Sequence, residues 1–71
     1  MRPLTSRQLQ VAKLTIEGLS IREIGKEMGI TPRTVKDYLM HIYRRLDIDD
    51  RWNKKIRLVY VLWKTGLIET L

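Results

Sequence analysis

Ser20-Ile21-Arg22-Glu23-Ile24-Gly25-Lys26-Glu27-Met28-Gly29-Ile30-Thr31-Pro32-Arg33-Thr34-Val35-Lys36-Asp37-Tyr38-Leu39-Met40-His41-Ile42-Tyr43-Arg44-Arg45-Leu46 is the stretch that decides the fold. Ser20 with Glu23 three residues on forms a capping box, each side chain satisfying a backbone N–H that the first turn of a helix leaves unpaired. Ile24 and Met28 lie one turn apart, and Gly29 closes the helix. A helix this short is held by packing rather than by propensity. Thr31-Pro32 then opens a longer helix: threonine is a good N-cap, and proline suits the first helical position because its missing N–H would be unpaired there anyway. Val35, Leu39, Ile42 and Leu46 step by four, three and four and make one apolar stripe, while Arg33, Lys36, Asp37, Met40, His41 and Arg44 occupy the opposite face.

A capped short helix, a tight turn through Ile30 and a longer capped helix is the helix-turn-helix layout, in which the second helix lies in a DNA groove and its N-terminal part reaches base edges. Ile24, Met28, Ile30 and Val35 are expected to meet in one small core that fixes the angle between the two helices. That angle leaves Arg33, Lys36, Asp37 and Met40 projecting outwards, and the unpaired N–H groups at the start of the second helix suit a phosphate.

Upstream, Thr5 and Gln8 form another capping box, which predicts a helix from about Ser6 to Glu17 closed by Gly18. Val11 and Leu14 share one face of it. Leu9, Ala12 and Ile16 form a second, more than one core stripe needs. Downstream, a fourth helix covers about Asn53 to Thr65 and stops at Gly66. Asp50 is an alternative N-cap, which would bring Trp52 onto the face of Ile56, Val59 and Trp63. From Leu58 to Trp63 every residue is apolar or aromatic, so both sides of this helix call for cover. Trp52, Tyr60 and Trp63 are residue types that stack on single-stranded bases, but on such a helix they read as core or dimer packing.

Seventy-one residues make one domain, 1–71, with a thin core, since a chain this short buries only about 60% of its unfolded surface. Fourteen Lys+Arg against eight Asp+Glu give a net charge of +6, as expected of a polyanion binder. There is no cysteine for a disulfide or thiolate site, and the single histidine, His41, excludes a multi-histidine metal site. No cofactor is expected. Nor is an enzyme: there is no glycine-rich phosphate loop and no nucleophile–base pairing. Asp47, Asp49 and Asp50 lack the ligand spacing and glycine of an EF-hand and read as loop and cap. No apolar run approaches the ~20 residues of a membrane span, and no signal-peptide core follows Met1-Arg2-Pro3, so a cytoplasmic protein is expected.

Leu4-Thr5-Ser6-Arg7-Gln8, Gly18-Leu19-Ser20, Glu23-Ile24-Gly25 and Gly29-Ile30-Thr31-Pro32-Arg33-Thr34-Val35-Lys36, followed by Leu39, Ile42-Tyr43 and Leu46, together resemble the LuxR/GerE-type helix-turn-helix domain over nearly the whole chain. The resemblance implies an all-α, four-helix domain of a bacterial transcriptional regulator, with the third helix (Thr31 to Leu46) reading double-stranded DNA and the fourth forming a two-fold homodimer contact. A chain of this length is similar to stand-alone, GerE-like members without a sensor domain, whose control would act through abundance or a partner protein.

Carried over by position, Lys36 matches the family's basic residue that contacts DNA, and Thr34 a hydroxyl near the phosphate backbone. Asp37 and Met40 occupy base-reading positions, where the one suits a cytosine amino group and the other a thymine methyl. Asp37 alternatively pairs with Arg33 one turn back. Arg33 suits guanine or a phosphate, and Arg44 and Arg45 suit the backbone. Thr31 and His41 complete the candidate DNA-binding set. The candidate dimer interface is Leu58, Val59, Tyr60, Val61, Leu62 and Trp63.

Three features depart from the family. The joint from Asp47 to Asn53 is about a helical turn longer, counting back from Gly66. Leu9 and Ile21 replace polar residues, and Tyr38 replaces a histidine. Leu9, Ile16 and Ile21 motivate a second reading, a small phage or regulatory factor that grips another transcription protein, RNA polymerase or another regulator. A third is a sigma-factor region-four-like domain, which shares the helix-turn-helix but not this fourth helix.

Overall fold

The structure is a computed structural model, and it describes residues 4–49, 51 and 53–67. Four helices follow in order, α1 (Ser6–Ile16), α2 (Ile21–Met28), α3 (Pro32–Arg45) and α4 (Lys54–Lys64), and no strand occurs among the described residues. None of these helices is long and apolar enough to cross a membrane.

Each helix starts the same way. The side chains of Thr5, Ser20, Thr31 and Asn53 accept a hydrogen bond from the backbone N–H three residues later, and the Thr5–Gln8 and Ser20–Glu23 capping boxes are closed reciprocally. Asn53 therefore opens α4. The competing cap Asp50, and the placement of Trp52, lie outside the described residues.

Each helix also ends the same way. The N–H groups of Leu19, Ile30, Ile48 and Leu67 reach back to the carbonyls of Leu14, Gly25, Tyr43 and Leu62, at 3.2, 2.9, 2.8 and 3.0 Å. The residue before each of them, Gly18, Gly29, Asp47 and Gly66, has positive φ. This is the Schellman closure, in which the left-handed residue turns the chain and the next one drops an apolar side chain back against the helix. Three of the four positions hold glycine; at the end of α3 an aspartate takes the role, with φ +58°.

The core gathers Leu4, Val11, Ala12, Ile24, Val35, Ile42, Ile48, Leu58 and Leu62, with at least one residue from every helix. α3 packs against α2 and α1, and α4 packs against α1. Thr15, the buried polar residue of α1, donates its hydroxyl to the Val11 carbonyl at 2.8 Å and so enters the core without an unpaired group.

Leu9, Ile16 and Ile21, read as surplus apolar surface, are half-buried and pack against this core. Each therefore gives part of its apolar surface to the core. The expected cluster around the turn forms, with Ile24 and Val35 fully enclosed and Met28 and Ile30 partly so; in the α3 stripe Val35 and Ile42 are buried, Leu39 and Leu46 half-buried.

Gly25 sets the angle between α2 and α3. It is the one glycine within a helix among the described residues, and it is buried. A Cβ placed there would stand 2.7 Å from the Ile30 carbonyl oxygen. Only a hydrogen lets the turn fold that closely onto α2.

Candidate nucleic-acid interface

With its stripe turned into the core, α3 presents the other face to solvent. Arg33, Lys36, Asp37, His41, Arg44 and Arg45 are exposed, and so is Met40 at 52%. Along a 3.6-residue period Arg33, Lys36, Asp37, Met40 and Arg44 fall within one sector, while Thr34, His41 and Arg45 lie on its flank. Sequence reasoning placed these residues together on the outer face, and the structure does so.

At the N-terminal end of this face, the Thr31 hydroxyl accepts from the Thr34 N–H at 3.2 Å and lies 2.9 Å from the Thr34 hydroxyl. The two side chains hold each other, and Thr34 is half-buried. One of the unpaired N–H groups is thus occupied by the cap. Arg51 and Asp49 form an ion pair at 3.1 Å, whereas the exposed Asp37 and Arg33 side chains do not meet in this structure. Arg44 and Arg45 sit in the last turn, where cations oppose the negative end of the helix dipole.

A cleft runs along each flank of α3. One, of about 780 Å³, lies between His41, Arg44 and Arg45 and the start of α1 at Leu4, Thr5, Ser6 and Gln8. The other, of about 410 Å³, is bounded by Lys36, Met40, Tyr43 and Arg44 on α3 and by Ile48 and Lys54 beyond it. The Lys54 ammonium stands over the Tyr43 ring, 5.5 Å from its centre. Burial pushes the Tyr43 phenol above its ordinary value of 10.0, and the nearby Lys54 charge pulls weakly the other way. Lys54 was absent from the residues singled out in the sequence. Its position depends on where α4 starts, which the rival caps Asp50 and Asn53 left open.

The candidate dimer residues divide. Leu58 and Leu62 are fully buried in the chain's own core and have no surface to offer a partner, which corrects their assignment to an interface. The reason is the packing of α4 on α1, which uses one side of the apolar run. Val59 and Val61 are half-buried, Tyr60 is 41% exposed and Trp63 55%. Ile56, not among the candidates, is the most exposed of the large apolar side chains, at 68%. Ile56, Tyr60 and Trp63 step by four and three and so share one outward stripe. Arg57 and Lys64 lie over the Tyr60 ring, 4.9 and 5.6 Å from its centre.

Comparison with known proteins bears on the same segments. The family model for GerE, bacterial regulatory proteins of the luxR family, matches residues 2–54, from before α1 to the first residue of α4. The chain is 44% identical over 48 residues to the transcriptional regulatory protein LiaR of Bacillus subtilis (strain 168), covering 68% of this chain and 23% of that protein. It is 40% identical over 48 residues to the putative HTH-type transcriptional regulator Rv0890c of Mycobacterium tuberculosis, covering 68% of this chain and 5% of that protein. With the transcriptional regulatory protein UhpA of Escherichia coli (strain K12) it shares 33% identity over 48 residues, 68% of this chain and 24% of the relative. The chain therefore spans about a quarter or less of the length of these relatives. No solved structure gives a significant match.

Proposed function

The chain belongs to the luxR family of bacterial regulatory proteins, and from that membership we propose that residues 1–71 act as one non-enzymatic, cytoplasmic DNA-binding domain of a transcription regulator, with α3 seated in the major groove. The observation that carries this reading is the outer face of α3. It holds Arg33, Lys36, Arg44 and Arg45 exposed around Met40, with a single carboxylate, Asp37. A helix fits the major groove, where arginine and lysine read guanine or phosphate and an apolar side chain reads the thymine methyl.

In this reading Lys36 and Arg33 contact the duplex near the start of the helix, and Asp37 and Met40 discriminate between bases. Thr31, Thr34, His41, Arg44 and Arg45 lie where the backbone passes. The relatives' names, transcriptional regulatory proteins and HTH-type regulators, agree with that role.

The exposed Ile56–Tyr60–Trp63 stripe supports a two-fold dimer through α4. Two copies would set their α3 helices in successive major grooves about 34 Å apart, which calls for an inverted repeat in the site. The same stripe, and not Leu9, Ile16 and Ile21, is the surface on which a protein partner would compete.

Selection from random duplex, followed by binding across a salt series, tests the reading. Salt-steep binding with an enriched inverted repeat is expected, with Lys36→Ala weakening it by about tenfold or more, the scale on which losing one good base contact acts. Binding without sequence preference, or unaltered by Lys36→Ala, would remove α3 from the groove.

A further inference from the structure

Lys54 lies outside α3, yet it borders the same cleft as Lys36, Met40 and Arg44. We propose that Lys54, held over the Tyr43 ring, is a phosphate contact on the flank of the reading helix, delivered there by the joint between α3 and α4; the inference rests on the seating of α3 proposed above.

The position follows from how a helix sits in a duplex. The major groove is about 12 Å wide, so a helix lying in it has a sugar–phosphate strand along each side. On the flank carrying His41 and Arg45, the cleft is closed by the start of α1. On the flank carrying Lys36 and Tyr43, it is closed by Ile48 and Lys54. The second strand therefore passes Lys54.

Three features hold the lysine in place. Ile48 is buried at 6% exposure, and its N–H bonds the carbonyl of Tyr43 itself at 2.8 Å, so the joint is tied to the residue that Lys54 covers. Asn53 caps α4 through the Ile56 N–H and fixes the direction in which the next residue leaves. The ring then takes the ammonium on its face, 5.5 Å from the centre, within the range of a cation–π contact.

The chemistry of the cleft points to an anion. Lys36, Arg44 and Lys54 border it, and no carboxylate is among the described residues lining it. Three cations converging on one concave surface suit a chain of phosphates. The cleft's apolar part, Leu39, Tyr43 and Ile48, belongs to the wall that carries them.

The 71-residue chain and its Lys54→Ala, Lys54→Arg, Lys55→Ala and Lys36→Ala variants are titrated with a random-sequence duplex by fluorescence anisotropy across a salt series. Lys54→Ala is expected to weaken binding severalfold and to reduce the slope of log affinity against log salt by about 1, the signature of one lost phosphate contact. The loss should be uniform across sequences. Lys54→Arg should keep the slope, and Lys55→Ala, an exposed neighbour, should keep it too. Far-UV circular dichroism separates binding loss from unfolding, and Tyr43→Leu, which removes the ring and leaves the lysine, should weaken binding by less than Lys54→Ala. Slope and affinity unchanged in Lys54→Ala while Lys36→Ala lowers both would overturn the inference and leave the seating of α3 intact. A wild-type chain that fails to bind duplex at low salt would overturn both.

Discussion

α3 and α4 are built alike on the inside and unlike on the outside. Both start from a side-chain cap, both end in the same backbone closure, and both turn one apolar stripe into the core, Val35 with Ile42 in one and Leu58 with Leu62 in the other. The outer face of α3 then carries cations around one methionine, whereas that of α4 carries Ile56, Tyr60 and Trp63 edged by Arg57 and Lys64. The buried half of each helix states how the fold is held. On the function proposed above, the outer half of α3 is made for a polyanion and that of α4 for apolar cover.

Two substitutions on one helix break this comparison most sharply. A chain of this size has a stability of roughly 4 to 10 kcal/mol, scaling by length. Leu58→Ala, in the wholly enclosed half of α4, should cost about 2 to 5 kcal/mol, as large-to-small changes in cores do. Trp63→Glu, in the exposed half, should leave the urea midpoint of a dilute sample nearly unchanged and lower the dimer fraction in sedimentation. Were Trp63→Glu to unfold the chain as Leu58→Ala does, the outer stripe would belong to the core. An unchanged mass in Trp63→Glu beside a dimeric parent would remove this stripe from the interface.

Gly25→Ala comes next. The added methyl would meet the Ile30 carbonyl at 2.7 Å, and a backbone oxygen cannot swing aside as a flexible side chain does. Overpacking of this kind costs about 1 to 3 kcal/mol net of repacking, against a gain of about 1 kcal/mol in helix propensity. The variant should therefore unfold at lower urea. Its binding should fall further than its stability, because prising Ile30 away tilts α3 against α2. A Gly25→Ala protein as stable as its parent would show that the turn has slack.

What the sequence disclosed was the local part. Thr5 with Gln8 and Ser20 with Glu23 pair over three residues, so both capping boxes were readable before any tertiary contact was known. The period of Val35, Leu39, Ile42 and Leu46 likewise settled which face of α3 looks outward, and with it the position of Arg33, Lys36, Asp37 and Met40. α4 was opaque for the opposite reason. Leu58 to Trp63 is apolar all round, so no period distinguishes the half that α1 covers from the half left outside, and only the packing shows that Leu58 and Leu62 are interior while Ile56 is not. Leu4 and Ile48 lie in segments without a period of their own and enter the core through the geometry of the turns. Lys54 meets Tyr43 across eleven residues of chain, a contact that spacing cannot announce.

The end of α3 supplies a smaller effect. Asp47 adopts φ +58°, where its three counterparts Gly18, Gly29 and Gly66 have no side chain to strain. The left-handed conformation costs an L-residue about 1 to 2 kcal/mol, less for aspartate, and glycine returns part of that gain through its greater freedom when unfolded. Asp47→Gly should raise stability by up to about 1 kcal/mol, read as a higher thermal midpoint, with no change in the closure. A fall in stability would mean that the Asp47 side chain contributes something to the joint that its backbone does not show.

The smallest expected effect lies in the capping box of α2 and is seen through pH. Hydrogen bonds from the backbone and side chain of Ser20 hold the Glu23 carboxyl below its ordinary value of 4.5 in the folded chain. Because the folded value is the lower one, ionised Glu23 stabilises the fold at pH above the ordinary value, and the contribution disappears as pH falls through the folded value. Asp49 behaves in the same direction, held down by its bonds to Arg51. The urea midpoint should therefore decline as the pH falls below the ordinary carboxylate values and through the lowered folded ones. Glu23→Gln keeps an oxygen that accepts from the Ser20 N–H but cannot titrate, so its midpoint should decline less steeply, and the remaining slope should shrink again when Asp49→Asn is added. The two carboxylates belong to separate contacts, one at the start of α2 and the other in the joint before α4, so their effects should add. A Glu23→Gln chain that loses stability in acid as steeply as its parent would show that the box closes equally well around a protonated carboxyl, leaving the Ser20 hydroxyl as the cap that starts the helix-turn-helix.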